Sequence, residues 1–254
     1  MTKDNKKQPT AAELKKQYQS SDKYSWEERW ENVVAFGIFI LLILVIVGFS
    51  TGWFGLSKKT VLKEQFPVTS ISLTAEASLG SKDARILVVE LSDFECPFCD
   101  QFQQEVFPKI KKEYIDTGKV LWFFMEQPLT KIHPHSYQAA IAAECAKLQM
   151  KFWEYHDVLF SNQKALEVSD LKEYASDLNL DTVAFNRCLD ANETQHIIVE
   201  SRKQAYNAGI SSTPSFIVGQ ASYGDNILGF KVVGAESFET FQKLIEAVKH
   251  KELD

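Results

Sequence analysis

The stretch Ile86-Leu87-Val88-Val89-Glu90-Leu91-Ser92-Asp93-Phe94-Glu95-Cys96-Pro97-Phe98-Cys99 decides the reading of this chain. From Arg85 to Leu91 it is an apolar run that follows the turn residues Leu79-Gly80-Ser81-Lys82-Asp83, and it reads as a strand. The run is too continuous for a strand with one wet face, so a central place in a sheet is expected. Two cysteines separated by two residues come next, and a helical pattern follows them. Pro97 suits the first helical turn, where its missing N–H costs nothing. A cysteine at a helix N-terminus feels the partial positive charge there, which favours its thiolate. The thiolate is the nucleophile of disulfide exchange, so this chemistry requires an ionised and accessible sulfur at Cys96.

Cys-x-x-Cys is also half of a zinc site. A structural zinc needs two more ligands, usually a second closely spaced pair. Cys145 and Cys188 are far apart, and none of His133, His135, His156, His196 and His250 makes a finger-like set with a second cysteine pair. The strand–dithiol–helix context favours redox chemistry, with no metal and no cofactor beyond the Cys96–Cys99 pair itself. A zinc-binding interaction domain is the alternative that metal analysis would expose.

The chain has 254 residues and a formal net charge of −6. That is room for one membrane anchor and one full domain. Mild acidity without a basic stripe argues against nucleic acid as a partner. Residues 1–32 form a polar tail, expected to be mobile apart from some helix near the membrane. Val33 to Phe49 carries no charge, and with Trp53 and Phe54 the segment 33–54 is long enough to cross a lipid bilayer. Trp30 and Trp53 stand at its ends, where amphipathic rings prefer the interface. A cleaved signal peptide needs a short basic start and a small-residue cleavage site, and neither is present, so an uncleaved anchor is expected. The lysine and arginine bias favours a cytoplasmic N-terminus only slightly. All four cysteines follow the span, which puts the C-terminal part in an oxidising space outside the cytoplasmic membrane. Residues 55–74 are expected to be a tether.

Beyond the dithiol, Phe102, Val106, Ile110 and Tyr114 form an i, i+4 stripe, with a kink expected at Pro108. Lys119 to Met125 is a second buried strand, which completes a right-handed βαβ unit. Residues 136–208 read as a helical block. Two of its helices open on Asp170 and Asp181 as candidate caps. Strand signals return at Ser215–Gly219 and at Phe230–Val233, the latter bounded by Gly229 and Gly234. An amphipathic helix from Phe238 to His250 closes the chain.

This order of parts resembles the DsbA-like branch of the thioredoxin superfamily. Leu91 to Cys99 is similar to that family's active-site entry. Lys151-Phe152-Trp153-Glu154-Tyr155-His156-Asp157 with Leu159-Phe160 is similar to its helical-insert signature, and Gly209 to Phe216 to its cis-proline loop. The resemblance covers residues 75–254 and implies an α/β thioredoxin-like fold with a helical insertion, here preceded by one N-terminal transmembrane helix. It implies that Cys96 attacks, that Cys99 resolves and that Glu90 is the acid beneath the dithiol. Thr213 and Pro214 would be the cis-proline pair facing it. A buried carboxylate at Glu90 could relay a proton to or from Cys99; a satisfied polar residue near the sheet end is the other reading. A cis bond would present the Thr213 backbone to a client strand for pairing.

Two positions stand apart. Phe98 occupies the place of a histidine in many strongly oxidising members. The Cys96 thiol is therefore expected to titrate between DsbA, ~3.5, and thioredoxin, ~7, and below the free value of ~8.5. Cys145 and Cys188 are either a second redox centre or, as the resemblance suggests, a permanent staple across the insert. Helix-embedded, separated cysteines lack the activation geometry of Cys-x-x-Cys, which favours the staple. Such a staple would contribute about 4 kcal/mol in the chain-entropy model.

The implied function is a membrane-anchored, extracytoplasmic thiol–disulfide oxidoreductase that introduces disulfides into unfolded or reduced clients. The resemblance implies an integral-membrane re-oxidising partner of the DsbB or vitamin K epoxide reductase type. An isomerase or reductase of the same fold, or a tethered binding module with an inert Cys-x-x-Cys, are the rivals. His133-Pro134-His135 reads as a solvated loop rather than a metal site. Asn192-Glu193-Thr194 reads as a helix cap rather than a glycosylation acceptor.

Overall fold

The computed structural model describes residues 9–50, 58–73 and 76–253. The chain divides into two units, Met1–Lys58 and Lys59–Asp254. In the first, α1 (Ala11–Ser50) is one continuous helix. Residues 11–32, expected to be largely mobile, are therefore helical. Among the described residues no helix is long and apolar enough to cross a membrane. The expected span, 33–54, runs beyond them: residues 51–57 lie outside the described set, and at 45 and 47–50 only the backbone is described.

The second unit begins earlier than the sequence suggested. Helix α2 (Lys58–Gln65) and strand β1 (Val68–Ser72) occupy most of the expected tether. Leu62 and Phe66, one helical turn apart, are buried in the same cluster as the C-terminal helix, and this fixes a segment whose composition is otherwise polar. The sheet has six strands: β1, β2 (Ala77–Gly80), β3 (Ile86–Ser92), β4 (Val120–Glu126), β5 (Ser215–Ala221) and β6 (Asn226–Val233). Their spatial order is β1-β6-β5-β3-β4-β2. Only β3 and β4 are parallel, joined by the βαβ crossover, and β3 is central as its unbroken apolar run required.

Strand β6 starts four residues ahead of Phe230, so Gly229 lies inside it rather than at its boundary. Gly229 faces Gly219 across the ladder. A Cβ on Gly229 would stand 2.6 Å from the Val218 carbonyl oxygen, so the two strands approach this closely only as a glycine pair.

After the dithiol the helical stripe is broken into α3 (Pro97–Glu105), α4 (Phe107–Ile110) and a π-turn at Lys111–Ile115. The break falls at Val106, two residues before Pro108. Proline has no N–H for the preceding turn, and its ring crowds the carbonyl four residues back. Phe102, Ile110 and Tyr114 still reach the core, and Val106 is half-buried.

The insert comprises α5 (Ser136–Lys147), α6 (Phe152–Ser161), α7 (Val168–Asp177), α8 (Thr182–Asp190) and α9 (Gln195–Asn207). Asp181 caps α8 by accepting the N–H groups of Val183 and Ala184. Asp170 is not the N-cap residue of α7, which is Glu167, but it does cap: from the third helical position it accepts the Glu167 N–H in a capping box. Thr194 precedes α9 but gives its hydroxyl to the Ile141 carbonyl at 3.2 Å instead of capping. Helix α10 (Phe238–Lys249) closes the chain with Phe241, Leu244, Ile245 and Val248 buried.

The ladder registers put Val88, Glu90 and Ser92 on one face of the sheet with Trp122, Phe124, Glu126, Phe216 and Val218. The α3 residue Phe102 and the α10 residue Phe241 cover part of this face, stacking around Trp122 and Phe216. The other face, with Val89, Leu91, Met125 and Ile217, packs against Ala205 of α9 and the following Ala208 and Ile210.

Candidate active site at the dithiol

The site is built on the end of β3. Asp93 turns the chain: its Oδ1 accepts the Glu95 N–H at 2.8 Å and its carbonyl accepts the Cys96 N–H at 3.0 Å. Cys96 is the N-cap residue of α3, with extended backbone, and its carbonyl accepts the first helical N–H groups, from Cys99 and Asp100. Pro97 occupies the first turn. Because β5 runs antiparallel to β3 with Ser215 opposite Leu91, the loop ahead of β5 arrives beside the dithiol. The Thr213–Pro214 bond in that loop is cis. The Cys96 sulfur lies 3.6 Å from the Thr213 carbonyl oxygen.

Both cysteines carry free thiols. The hydrogen bond from Cys99 is the main cause that lowers the Cys96 thiol to about 6; the N–H groups of Cys99 and Phe98 add to it, against the cost of burial. Burial, reinforced by the Cys96 sulfur, pushes the Cys99 thiol well above its usual value. The two sulfurs are thus split into a nucleophile and a proton-holding partner. Access differs from expectation. Cys96 is only 3% exposed, whereas the neighbouring Phe98 is 61% exposed.

Glu90, on β3, is sealed from solvent. Gln103 Nε2 donates to its two carboxylate oxygens at 2.8 and 3.1 Å, and the Trp122 indole N–H donates at 3.1 Å. Burial dominates and raises its pKa to about 7, while Ser92, Trp122 and Gln103 pull the other way. No cation is among these partners.

The insert reaches the same loop. Phe94 stacks on Phe124 with ring centroids 5.2 Å apart and meets Phe160 and His156 of α6. Thus His156, inside the insert signature, is a buried ring in an aromatic cluster, and burial holds its pKa below the usual range. Gln163, just after α6, donates through Nε2 to the carbonyls of Phe94 (2.8 Å) and Cys96 (3.0 Å). Nothing in the sequence marked Gln163, because its contacts span 67 residues or more. Cys145 and Cys188 form a disulfide between α5 and α8, with Cα atoms 5.9 Å apart. Among the described residues no group of three or more potential metal ligands converges. The loop at 133–135 is not free: the His133 imidazole bonds to Asp93, and the backbone N–H of His135 donates to Glu95.

Residues 72–247 match the family model described as Thioredoxin. The chain is 29% identical over 205 residues to the probable disulfide bond formation protein D of Bacillus cereus, a match covering 72% of this chain and 92% of that protein. It is 37% identical over 139 residues, 55% of its length, to the Na(+)/H(+) antiporter NhaA 3 of Salinispora tropica, and there spans only 21% of the relative. Among solved structures, alpha-DsbA1 of Wolbachia pipientis superposes with a TM-score of 0.60 at 28% identity, covering 72% of this chain and 95% of that one. The cysteine pair at a helix start and the cis-proline loop beside it are in keeping with these matches: the chain belongs to the thioredoxin family, and within it is similar to the DsbA-type thiol–disulfide oxidoreductases.

Proposed function

We propose that this protein introduces disulfides into reduced client proteins on the outer side of a bacterial-type cytoplasmic membrane. The observation that carries the reading is the Cys96 sulfur at the N-cap of α3, opposite the carbonyl of a cis Thr213–Pro214 bond. In the oxidised enzyme a client thiolate attacks the Cys96 sulfur, the Cys96–Cys99 bond breaks, and Cys99 leaves as a thiolate. That thiolate takes up a proton, and Glu90, titrating at about 7, is the proposed source. A second client thiolate attacks its own sulfur in the mixed disulfide and expels Cys96 as the stabilised thiolate. The client leaves oxidised and the enzyme reduced by two electrons. The Thr213 backbone offers an edge for the client chain, and exposed Phe98 offers an apolar contact. Since Cys96 is covered and the Thr213 carbonyl lies against its sulfur, attack requires the loop carrying Thr213 to move aside.

Residues 33–54 would anchor the chain, supported by their uncharged run and flanking tryptophans. An integral-membrane partner of the DsbB or vitamin K epoxide reductase type would re-oxidise the dithiol. The Cys145–Cys188 bond would serve as a staple of the insert. The test is a Cys99→Ala variant expressed in its native membrane. Clients should accumulate as disulfide adducts at Cys96, and the purified wild type should oxidise a reduced dithiol peptide. Failure of both would overturn the reading.

A further inference from the structure

We propose that His133 is a positioning residue for the dithiol, acting through Asp93. The proposal rests on the oxidoreductase reading above. Asp93 touches both halves of the pair: its carbonyl takes the Cys96 N–H at 3.0 Å, and its own N–H faces the Cys99 sulfur. Its side chain is fully sealed from solvent. A sealed carboxylate one turn from a thiolate is an opposing charge, and it is tolerated only when its oxygens are well occupied by donors. Three donors occupy them. Oδ1 takes the Glu95 N–H at 2.8 Å; Oδ2 takes the Leu129 N–H at 2.7 Å and the His133 imidazole Nδ1–H at 2.8 Å. A parallel bond runs beside it, from the His135 N–H to Glu95 Oε2 at 2.7 Å. The segment after β4 is therefore laced to the active-site turn, and His133 is the only side chain in that set of donors to Asp93.

This bears on Phe98. The side chain inside the dithiol supplies no polar group to the Cys96 thiolate, which has only the backbone N–H of Phe98 from that residue, so the way the neighbouring Asp93 carboxylate is held bears on the field at that sulfur. With His133 in place, the Asp93 carboxylate is fixed by its three donors. Without it, one sealed lone pair loses its partner and its charge is less well compensated where the thiolate must form. The thiolate is then less favoured, and the reduced enzyme is less stable relative to the disulfide. The enzyme becomes a weaker oxidant.

The test uses the full chain in detergent and reads the Cys96 titration by thiolate absorbance and the dithiol–disulfide equilibrium against glutathione. His133→Ala should raise the Cys96 midpoint by about one pH unit and cut the equilibrium constant for oxidising glutathione about tenfold. His133→Asn, which can place an N–H where Nδ1 stood, should restore both. In an Asp93→Asn background, His133→Ala should move the midpoint no further. Should His133→Ala fail to fold, Asp93→Asn alone decides: a lowered midpoint supports the coupling, and an unchanged one overturns it. A His133→Ala protein that titrates and equilibrates like the wild type, or an Asn variant that does not restore it, would end the proposal. A wild type unable to oxidise any dithiol would instead count against the oxidoreductase reading.

Discussion

Gln163 and Cys96 lie 67 residues apart in sequence, yet the Gln163 amide donates to the Cys96 carbonyl at 3.0 Å while its other N–H serves Phe94 at 2.8 Å. The helical insert thereby holds the backbone of the turn that presents the nucleophile. Gln163→Ala removes both donors. The expected loss is about 1–2 kcal/mol of stability, as for two modest hydrogen bonds. It should also bring faster alkylation of Cys96 as the covered turn loosens. Equilibrium denaturation and iodoacetamide kinetics measure the two effects; a variant unchanged in both would show the link to be incidental.

The Cys96 thiol is held at about 6 chiefly by the hydrogen bond from Cys99. Alkylation of the reduced protein should therefore show a midpoint near pH 6 rather than near the free value of ~8.5. Cys99→Ala should move that midpoint upward, because the largest stabilising contact is gone. Since Cys96 is 3% exposed, the plateau rate should fall below that of a free thiolate of equal basicity. A midpoint that does not respond to Cys99→Ala would refute the assignment of cause.

Much of this arrangement was readable from local pattern. The spacing of Cys96 and Cys99 after a continuous apolar run located β3, the dithiol and the N-cap geometry. The runs at Lys119–Met125 and Ser215–Gly219 located β4 and β5. Other features were hidden because their causes are not local. In and just after α2, a lysine-rich turn is anchored by buried Leu62 and Phe66 and by the Lys63 ammonium on the Leu253 carbonyl. Strand β1 buries only Ile71 fully and is held as an edge by backbone pairing to β6, which leaves little side-chain signature. Gln163 and His133 act on the dithiol turn through contacts at sequence separations of 40 or more. The cis bond at Pro214 follows from no propensity, and only the family resemblance pointed to it.

The Cys145–Cys188 bond ties α5 to α8 and closes a separation of 43 residues. In the chain-entropy model it contributes about 4 kcal/mol. Replacing both cysteines with alanine should lower the free energy of unfolding by up to that amount. It should leave the Cys96 titration unchanged, since neither residue is among the groups acting on that thiol. Chemical denaturation with a parallel thiolate titration tests both halves. A double variant of unaltered stability would remove the staple role, and one with altered dithiol chemistry would revive a second redox centre.

Glu90 gives the clearest dependence on pH. Burial raises its pKa from 4.5 to about 7. Below pH ~4.5 the acid is protonated in both folded and unfolded chains, and the folded state bears no penalty. As pH rises toward 7 the unfolded chain ionises while the folded one resists, so this group withdraws stability across that window. Above pH 7 the withdrawal is complete, on the order of 3 kcal/mol. Glu90→Gln keeps the shape and an acceptor for Trp122 or Gln103 but cannot ionise. It should be more stable than the wild type at pH 8 and nearly equal at pH 4. If Glu90 is the proton source proposed for the leaving Cys99 thiolate, the same variant should also oxidise dithiols more slowly. Denaturation at the two pH values separates the outcomes: equal stability differences at both would mean that Glu90 ionises as freely in the fold as in water, and the proton role would fall with it.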